Sequence, residues 1–159
     1  MQPGSTALRD SMARLPQGVV VISTRDGEAF RGLTATSFTS LSLEPALVLV
    51  CLDRQSLTRV ALRDHGAFNA SVLARHHTFL AERFSGRAPA ADRSWGEIPH
   101  RLGGNGLPIL EGAPAWVECT VEAIHPGGDH EIVVGRVGAC GIGPGDPLVL
   151  WDREFWGLQ

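Results

Sequence analysis

The chain has no lysine and no tyrosine: all fourteen of its basic residues are arginine. Any anion it holds must be met by guanidinium groups, hydroxyls or backbone N–H groups. Cysteine is scarce and odd in number. Cys51, Cys119 and Cys140 are widely spaced and sit in apolar strand-like runs. That excludes a disulfide scaffold or a zinc knuckle and marks them as core residues. Charged residues make up 19 % of the 159, and the net charge is −3 with no basic cluster, which argues against a nucleic-acid partner. No apolar run approaches the eighteen residues of a membrane span. The opening "MQPGSTALRDSMARLP" lacks an apolar signal core. The expectation is a soluble cytoplasmic protein, with no membrane partner. A hydrophobic share of 43 % speaks against disorder. At this length a single domain over 1–159 is expected, burying about 68–70 % of its unfolded surface.

Two nucleotide signatures are also missing. No Gly-x-Gly-x-x-Gly follows the first strand, and "GACGIG" at Gly138–Gly143 has the wrong spacing and follows a late strand. No Walker-type loop is present. His76-His77 is a poor metal pair, because adjacent helix residues point in different directions. No metal site is expected.

What is present reads as short strands joined by turns. Ser5–Leu15 suits a helix capped by Ser5, with Leu8, Met12 and Leu15 on one face. "GVVVIST" and "AFRGLTA" form a hairpin about Asp26-Gly27. "SFTSLSLEP" reads as a hydroxyl-rich connection, and "ALVLVCLD" as a fully buried strand. Ser56 caps a helix closed by Gly66, with Leu57, Val60 and Ala61 at helical spacing. "AFNASVLA" is a strand, and "RHHTFLAERFS" a helix with Phe79, Leu80 and Phe84 facing inward. Gly86 to Gly106 reads as one long loop, the kind that forms a flap or an interface arm. "AWVECTVEAI" alternates, with Ala115, Val117, Cys119, Val121 and Ala123 on one face. "HEIVVGRVGAC" follows across "HPGGD", and "PLVLW" ends the strands. Six or seven strands with two or three short helices do not alternate as a doubly wound fold does. A small antiparallel barrel is the expectation.

The chemistry concentrates in "GLTATSFTSLSLEPALVLVCLDRQSLT". Two hydroxyl clusters, Thr34 to Ser42 and Ser56 to Thr58, bracket one buried strand. Converging strand ends would surround a phosphate with hydroxyls, backbone amides and Arg54, aided by the N-terminus of the helix starting near Ser56. Read from spacing alone, a loop and a helix cap account for them equally well.

Those residues also resemble a family. Gly-x-Thr leading to Ser-Phe-x-Ser-x-Ser-x-x-Pro and a buried strand, followed in order by "FNASVLA", "LAERFSG", "GLPILEGAPAWVECTV", "GDHEIVVGRV" and "GDPLVLWDREFWGL", is similar to the flavin reductase domain over nearly the whole chain. The resemblance implies a mainly β, six-stranded antiparallel split β-barrel of Greek-key type with short flanking helices, working as a homodimer. It implies an NAD(P)H:flavin oxidoreductase that uses NADH or NADPH to reduce FMN or FAD and supplies the reduced flavin to a partner monooxygenase. Carried over by position, Thr34, Ala35, Thr36 and Ser37 would meet the flavin ring and ribityl chain. Asp53, Arg54, Gln55, Ser56 and Thr58 would hold ribityl and phosphate. Ser71 would add a contact, Arg83 would lie near the phosphate end, and His130 would align the nicotinamide as the one catalytic-site residue. Thr36 and Ser71 stand where the family often has Asn, and Trp151, Phe155 and Trp156 replace a Tyr-rich ending. The rival within the same fold is a protein that keeps its flavin as a store, a sensor, or an oxidoreductase for an organic substrate.

Overall fold

The computed structural model describes residues 2–86 and 94–158. In chain order the elements are α1 (Ser5–Ala13), β1 (Gln17–Gly18), β2 (Val20–Asp26), β3 (Ala29–Ala35), β4 (Thr39–Leu43), β5 (Ala46–Asp53), α2 (Leu57–His65), β6 (Ala67–Val72), a 3-10 turn (Arg75–His77) and α3 (Thr78–Ser85). There follow β7 (His100–Leu102), β8 (Pro108–Leu110), β9 (Ala115–Gly127), β10 (His130–Ile142), β11 (Leu148–Trp151) and β12 (Glu154–Gly157). No helix among the described residues is long and apolar enough to cross a membrane.

Seven strands form one antiparallel sheet in the order β3-β2-β6-β9-β10-β5-β4, where six closing into a barrel were expected. The extra strand is β4. Its serines and threonines suggested a connection, but Thr39–Leu43 pairs with β5 across the turn at Glu44-Pro45. β3 and β4 are the two edges, and the ladder does not join them. The sheet nevertheless folds round one core. Val20 and Ile22 of β2, Ala35 of β3, Val50 and Leu52 of β5, Phe68 of β6, Cys119 of β9 and Val133 of β10 pack together. Ser37 stitches across this fold: its hydroxyl donates to the Cys51 carbonyl at 2.9 Å and accepts from the Cys51 amide at 3.1 Å.

The unbroken run "VVVI" has a simple cause. Val20 and Ile22 face the first core, while Val19 and Val21 face a second, built with Leu73, Ala81, Phe84, Trp95 and Leu148. Both faces of β2 are therefore dry. The alternation of β9 breaks at Glu122, where the pairing slips from Val134–Ala123 to Gly135–Val121. That extra residue turns Ile124, rather than Ala123, toward the core. Burial, with the nearby Glu118 charge second, pushes the Cys119 thiol up to about 12, so it remains a core thiol.

The helices depart further from their expected faces. α2 is capped as expected, Ser56 Oγ accepting from the Arg59 amide at 3.3 Å and Gly66 closing it at φ 78°. Its inward residues are Thr58, Ala61 and Leu62; Leu57 and Val60 are exposed. α3 buries Ala81 and Phe84 and leaves Phe79 in solvent. α1 starts from Gly4 without a side-chain cap and buries nothing, so Leu8, Met12 and Leu15 all face outward. The expected long loop after Gly86 falls partly on residues 87–93, outside the described residues. Beyond them it is structured: Trp95 and Ile98 enter the second core and β7 pairs with β8. The ending "REFWGL" is also a strand, β12, paired with β11.

Candidate functional site

Two clefts lie along β3 and share Ser85 in their linings. The first, of about 660 Å³, is walled by residues 29–33 of β3, Asp53 at the end of β5, residues 55–58 at the start of α2, the end of α3, and Ser94. The second, of about 830 Å³, runs from Thr34 and Thr36 past Thr78, Ala81 and Glu82 of α3 to Leu150, Arg153, Glu154 and Phe155 of the β11–β12 hairpin, with Val19 at its base. Both lie within the range of small-molecule sites.

The first cleft is arranged for an anion. Asp53 Oδ1 accepts from the Gln55 amide at 2.8 Å, and its carbonyl accepts from Ser56 N–H at 3.0 Å. This tight turn aims the chain into α2. The first amides of a helix have no intrahelical acceptor. Among the described residues the Arg59 amide is taken by Ser56 Oγ, whereas those of Leu57 and Thr58 face no backbone or side-chain acceptor. The Ser56 hydroxyl keeps its own proton to donate. Thr58, 8 % exposed, approaches the Gly32 carbonyl at 3.4 Å. Gly32 leaves room that no other residue could: a Cβ there would lie 2.5 Å from the Phe84 ring.

Six of the expected residues therefore line the clefts: Thr34, Thr36, Asp53, Gln55, Ser56 and Thr58. Thr34 donates its hydroxyl to the Ala81 carbonyl at 2.7 Å, anchoring α3 over β3. The other six line neither cleft. Ala35 is in the core, and both hydrogen-bonding roles of the Ser37 hydroxyl are taken by Cys51. Arg54 turns to the β9–β10 turn, reaching the Gly128 carbonyl at 3.3 Å, while its amide binds the Asp129 carbonyl. Ser71, 2 % exposed, accepts from the Leu110 amide at 3.1 Å and so fastens β8 to β6. Arg83 donates to the Ser94 carbonyl at 2.9 Å, bracing the cleft from behind. Ser71 in β6 and Ser37 in the β3–β4 connection each sit where an inward hydroxyl finds main-chain partners.

His130 opens β10 directly opposite Asp53 of β5, one of the residues that wall the first cleft. Its Nδ1 lies 2.7 Å from Asp129 Oδ1. That hydrogen bond, and then the imidazole charge, hold the Asp129 carboxyl below its ordinary value. One residue on, Glu131 points to the other side, bonding Arg59 at 2.8 Å with Arg63 at 3.8 Å. Arg59 first, then the other guanidinium charges, lower the Glu131 carboxyl, and the pair ties α2 to β10. The His76-His77 pair is structural in its second member: His77 Nδ1 accepts from the Ala74 amide at 2.9 Å. Burial, with His76 second, lowers its pKa and keeps the ring neutral.

Sequence reading passed over Arg153, which lines the second cleft. It also missed the polar brace behind the first core, where buried Glu118 accepts from the Gly104 amide at 2.8 Å and Asn69 and Asn105 bond each other. The run "GGNG" was its only signal.

A family model described as a flavin reductase like domain matches residues 12–159. An actinorhodin polyketide dimerase of Streptomyces coelicolor is 42 % identical over 153 residues, which are 95 % of this chain and 85 % of that protein. An NADH-dependent flavin reductase of Rhodococcus sp is 36 % identical over 155 residues, 96 % of this chain and 85 % of that one. The crystal structure of BorF, the flavin reductase component of a bacterial two-component tryptophan halogenase, superposes with a TM-score of 0.90 at 34 % identity, covering 98 % of both chains.

Proposed function

Because the chain belongs to the flavin reductase-like domain family, we propose that it works as an NAD(P)H:flavin oxidoreductase, taking hydride from NADH and passing it to FMN or FAD. The observation that carries the reading is the pair of neighbouring clefts, one ending in free helix amides and hydroxyls, the other bordered by apolar side chains and Phe155. The residues suit a flavin nucleotide. The amides of Leu57 and Thr58 and the Ser56 hydroxyl hold the phosphate at the positive end of α2. Asp53 accepts from ribityl hydroxyls. Thr34 and Thr36 border the ring, and Ala35, Ser37, Gln55 and Ser71 keep the surrounding backbone in place. Arg54 and Arg83 act from outside the walls, Arg54 by fixing the β9–β10 turn that presents His130. Bound flavin supplies the ring that accepts the hydride; the protein supplies alignment. His130, steadied by Asp129, orients the nicotinamide at the lip and moves no proton.

Three finer points belong to the same reading. The curled sheet is the split barrel of the family, with Ser37 fastening the β3–β4 connection to Cys51 of β5. The chain pairs with a second copy through surfaces that a monomer leaves wet, among them Leu8 and Met12 of α1, Leu15 just beyond it, and Leu41 and Leu43 of β4. Sedimentation showing a monomer at micromolar concentration would remove that point. Reduced flavin leaves for a separate oxygenase or halogenase, as the component name of the BorF structure suggests.

The relative named for joining polyketides favours a second reading, in which flavin stays bound and serves an organic substrate. NADH oxidation with and without added FMN and FAD separates the two. The reductase needs free flavin for turnover and consumes NADH in proportion to it. A protein that purifies with flavin and ignores added flavin supports the second.

A further inference from the structure

The β11–β12 hairpin turns on two residues, Asp152 and Arg153, at φ 50° and 67°. Such two-residue turns favour glycine and asparagine, because both positions lie in the left-handed region. An aspartate tolerates it; an arginine gains nothing from it and a glycine would relieve it. Backbone held in a disfavoured region against an easy alternative points to a side chain that is needed where it stands. Arg153 stands in the wall of the second cleft and is the one cationic residue among its described lining residues. Glu82 and Glu154 are the other charged residues of that lining and the rest are neutral, so Arg153 is where an anion entering the cleft finds a cationic partner.

The guanidinium is at present paired with Asp10 of α1. Both side chains are more than half exposed, at 57 % and 61 %, so this pair contributes little and exchanges readily. α1 buries no residue and is tied to this same hairpin. Its other attachments are Arg14 near Asp152 at 3.7 Å, the Asp152 amide on the Ala13 carbonyl at 2.8 Å and Trp151 Nε1 on the Arg14 carbonyl at 3.1 Å. Asp10 thus serves as a replaceable counter-ion. A phosphate presents the same pair of oxygens to the guanidinium fork and can take the carboxylate's place.

We propose that Arg153 binds the pyrophosphate of a dinucleotide in the second cleft, releasing Asp10 as the ligand seats. The inference rests on the reductase reading. The dinucleotide concerned is the nicotinamide donor, since the flavin phosphate, and with it the pyrophosphate of FAD, is placed at α2.

The test uses the whole chain with two variants. Arg153→Gly removes the guanidinium and relaxes the turn, so it should fold at least as well, as checked by thermal unfolding. Asp10→Asn removes the competitor. NADH, FAD and FMN are titrated against each by fluorescence or calorimetry, FMN serving as the flavin without a pyrophosphate. Arg153→Gly should weaken NADH by about ten- to a hundredfold and spare FAD and FMN. Asp10→Asn should tighten NADH. Unchanged NADH binding in Arg153→Gly, an equal loss on FAD or FMN, or weakening in both variants would overturn the proposal, the last by showing that the ion pair only fastens α1. Flavin-dependent NADH oxidation by the unaltered protein, measured beside these titrations, tests the reductase reading separately.

Discussion

Ser56 does two jobs that can be pulled apart. Its oxygen caps α2, and its hydroxyl proton faces the first cleft. Ser56→Ala loses both. The cap is worth about 1 kcal/mol, a shift of about 2–4 °C in Tm for a chain of this size. A hydrogen bond to a phosphate is worth about 1.5–3 kcal/mol, about ten- to a hundredfold in affinity. Ser56→Gly keeps all but a few tenths of a kcal/mol of the cap while losing the hydroxyl, so its Tm should barely move and its FMN affinity should fall as far as in the alanine variant. Ser56→Asp caps as well as serine and suits the positive helix end. It also places a carboxylate against the phosphate, and two like charges about 4 Å apart near a protein surface repel by about 4 kcal/mol. Its Tm should hold or rise while FMN affinity falls by about a hundredfold or more. Fluorescence titration with FMN and with riboflavin reads the outcome, since riboflavin has no phosphate. Riboflavin should bind all four proteins alike. Ser56→Asp binding FMN as the unaltered protein does, or riboflavin falling in step with FMN, would refute the placement of the phosphate at α2.

His130→Ala should raise the KM for NADH and slow flavin reduction by about tenfold to a hundredfold, with flavin affinity unchanged; stopped-flow reduction of pre-bound flavin checks this, and equal rates would reduce His130 to a turn residue. Gly32→Ala should destabilise by about 1–3 kcal/mol, because its Cβ meets the Phe84 ring, itself packed on Trp95 at 5.0 Å; thermal unfolding measures it. The lowered Glu131 carboxyl means that folding favours its charged form, so its stabilisation is present above the ordinary glutamate value of 4.5 and is lost as pH falls through the lower folded value. Glu131→Gln should therefore lose stability at pH 7 and show a flatter decline on acidification, read from urea midpoints across the acid range.

How far the sequence revealed this molecule depended on whether a signal was local. Ala29–Ala35, Ala46–Asp53 and the helix from Leu57 to His65 stand where their patterns placed them, because turn glycines, a capping serine and continuous apolar runs act over a few residues. β4 was hidden because its alternation sets serine and threonine against Leu41 and Leu43, both of which stay exposed. The inward faces of α1 and α3 were misread for a related reason. Apolar spacing says a helix has a stripe, whereas the neighbouring sheet decides whether anything covers it. In the site, Asp53, Ser56 and Thr58 were legible as a strand end followed by a cap. The separation of Ser37, Arg54 and Ser71 from the clefts was not, since it depends on which side of a folded sheet each one faces. Arg153 gave no sign, because its partner Asp10 lies at the far end of the sequence.

That distance bears on the order in which the protein can assemble. A ribosome makes the described lining of the first cleft by residue 94, while the second waits for residues 150–155 to meet Val19 and Thr34. β1 likewise waits for β11, and α1 for the hairpin that follows it. The sheet order sets β9 and β10 between β6 and β5, so even the first cleft, whose lining is made early, has its two sides joined only once the strand ending at Ile142 is in place. Both clefts are therefore late products of folding, completed from strands that the ribosome delivers in the last third of the chain.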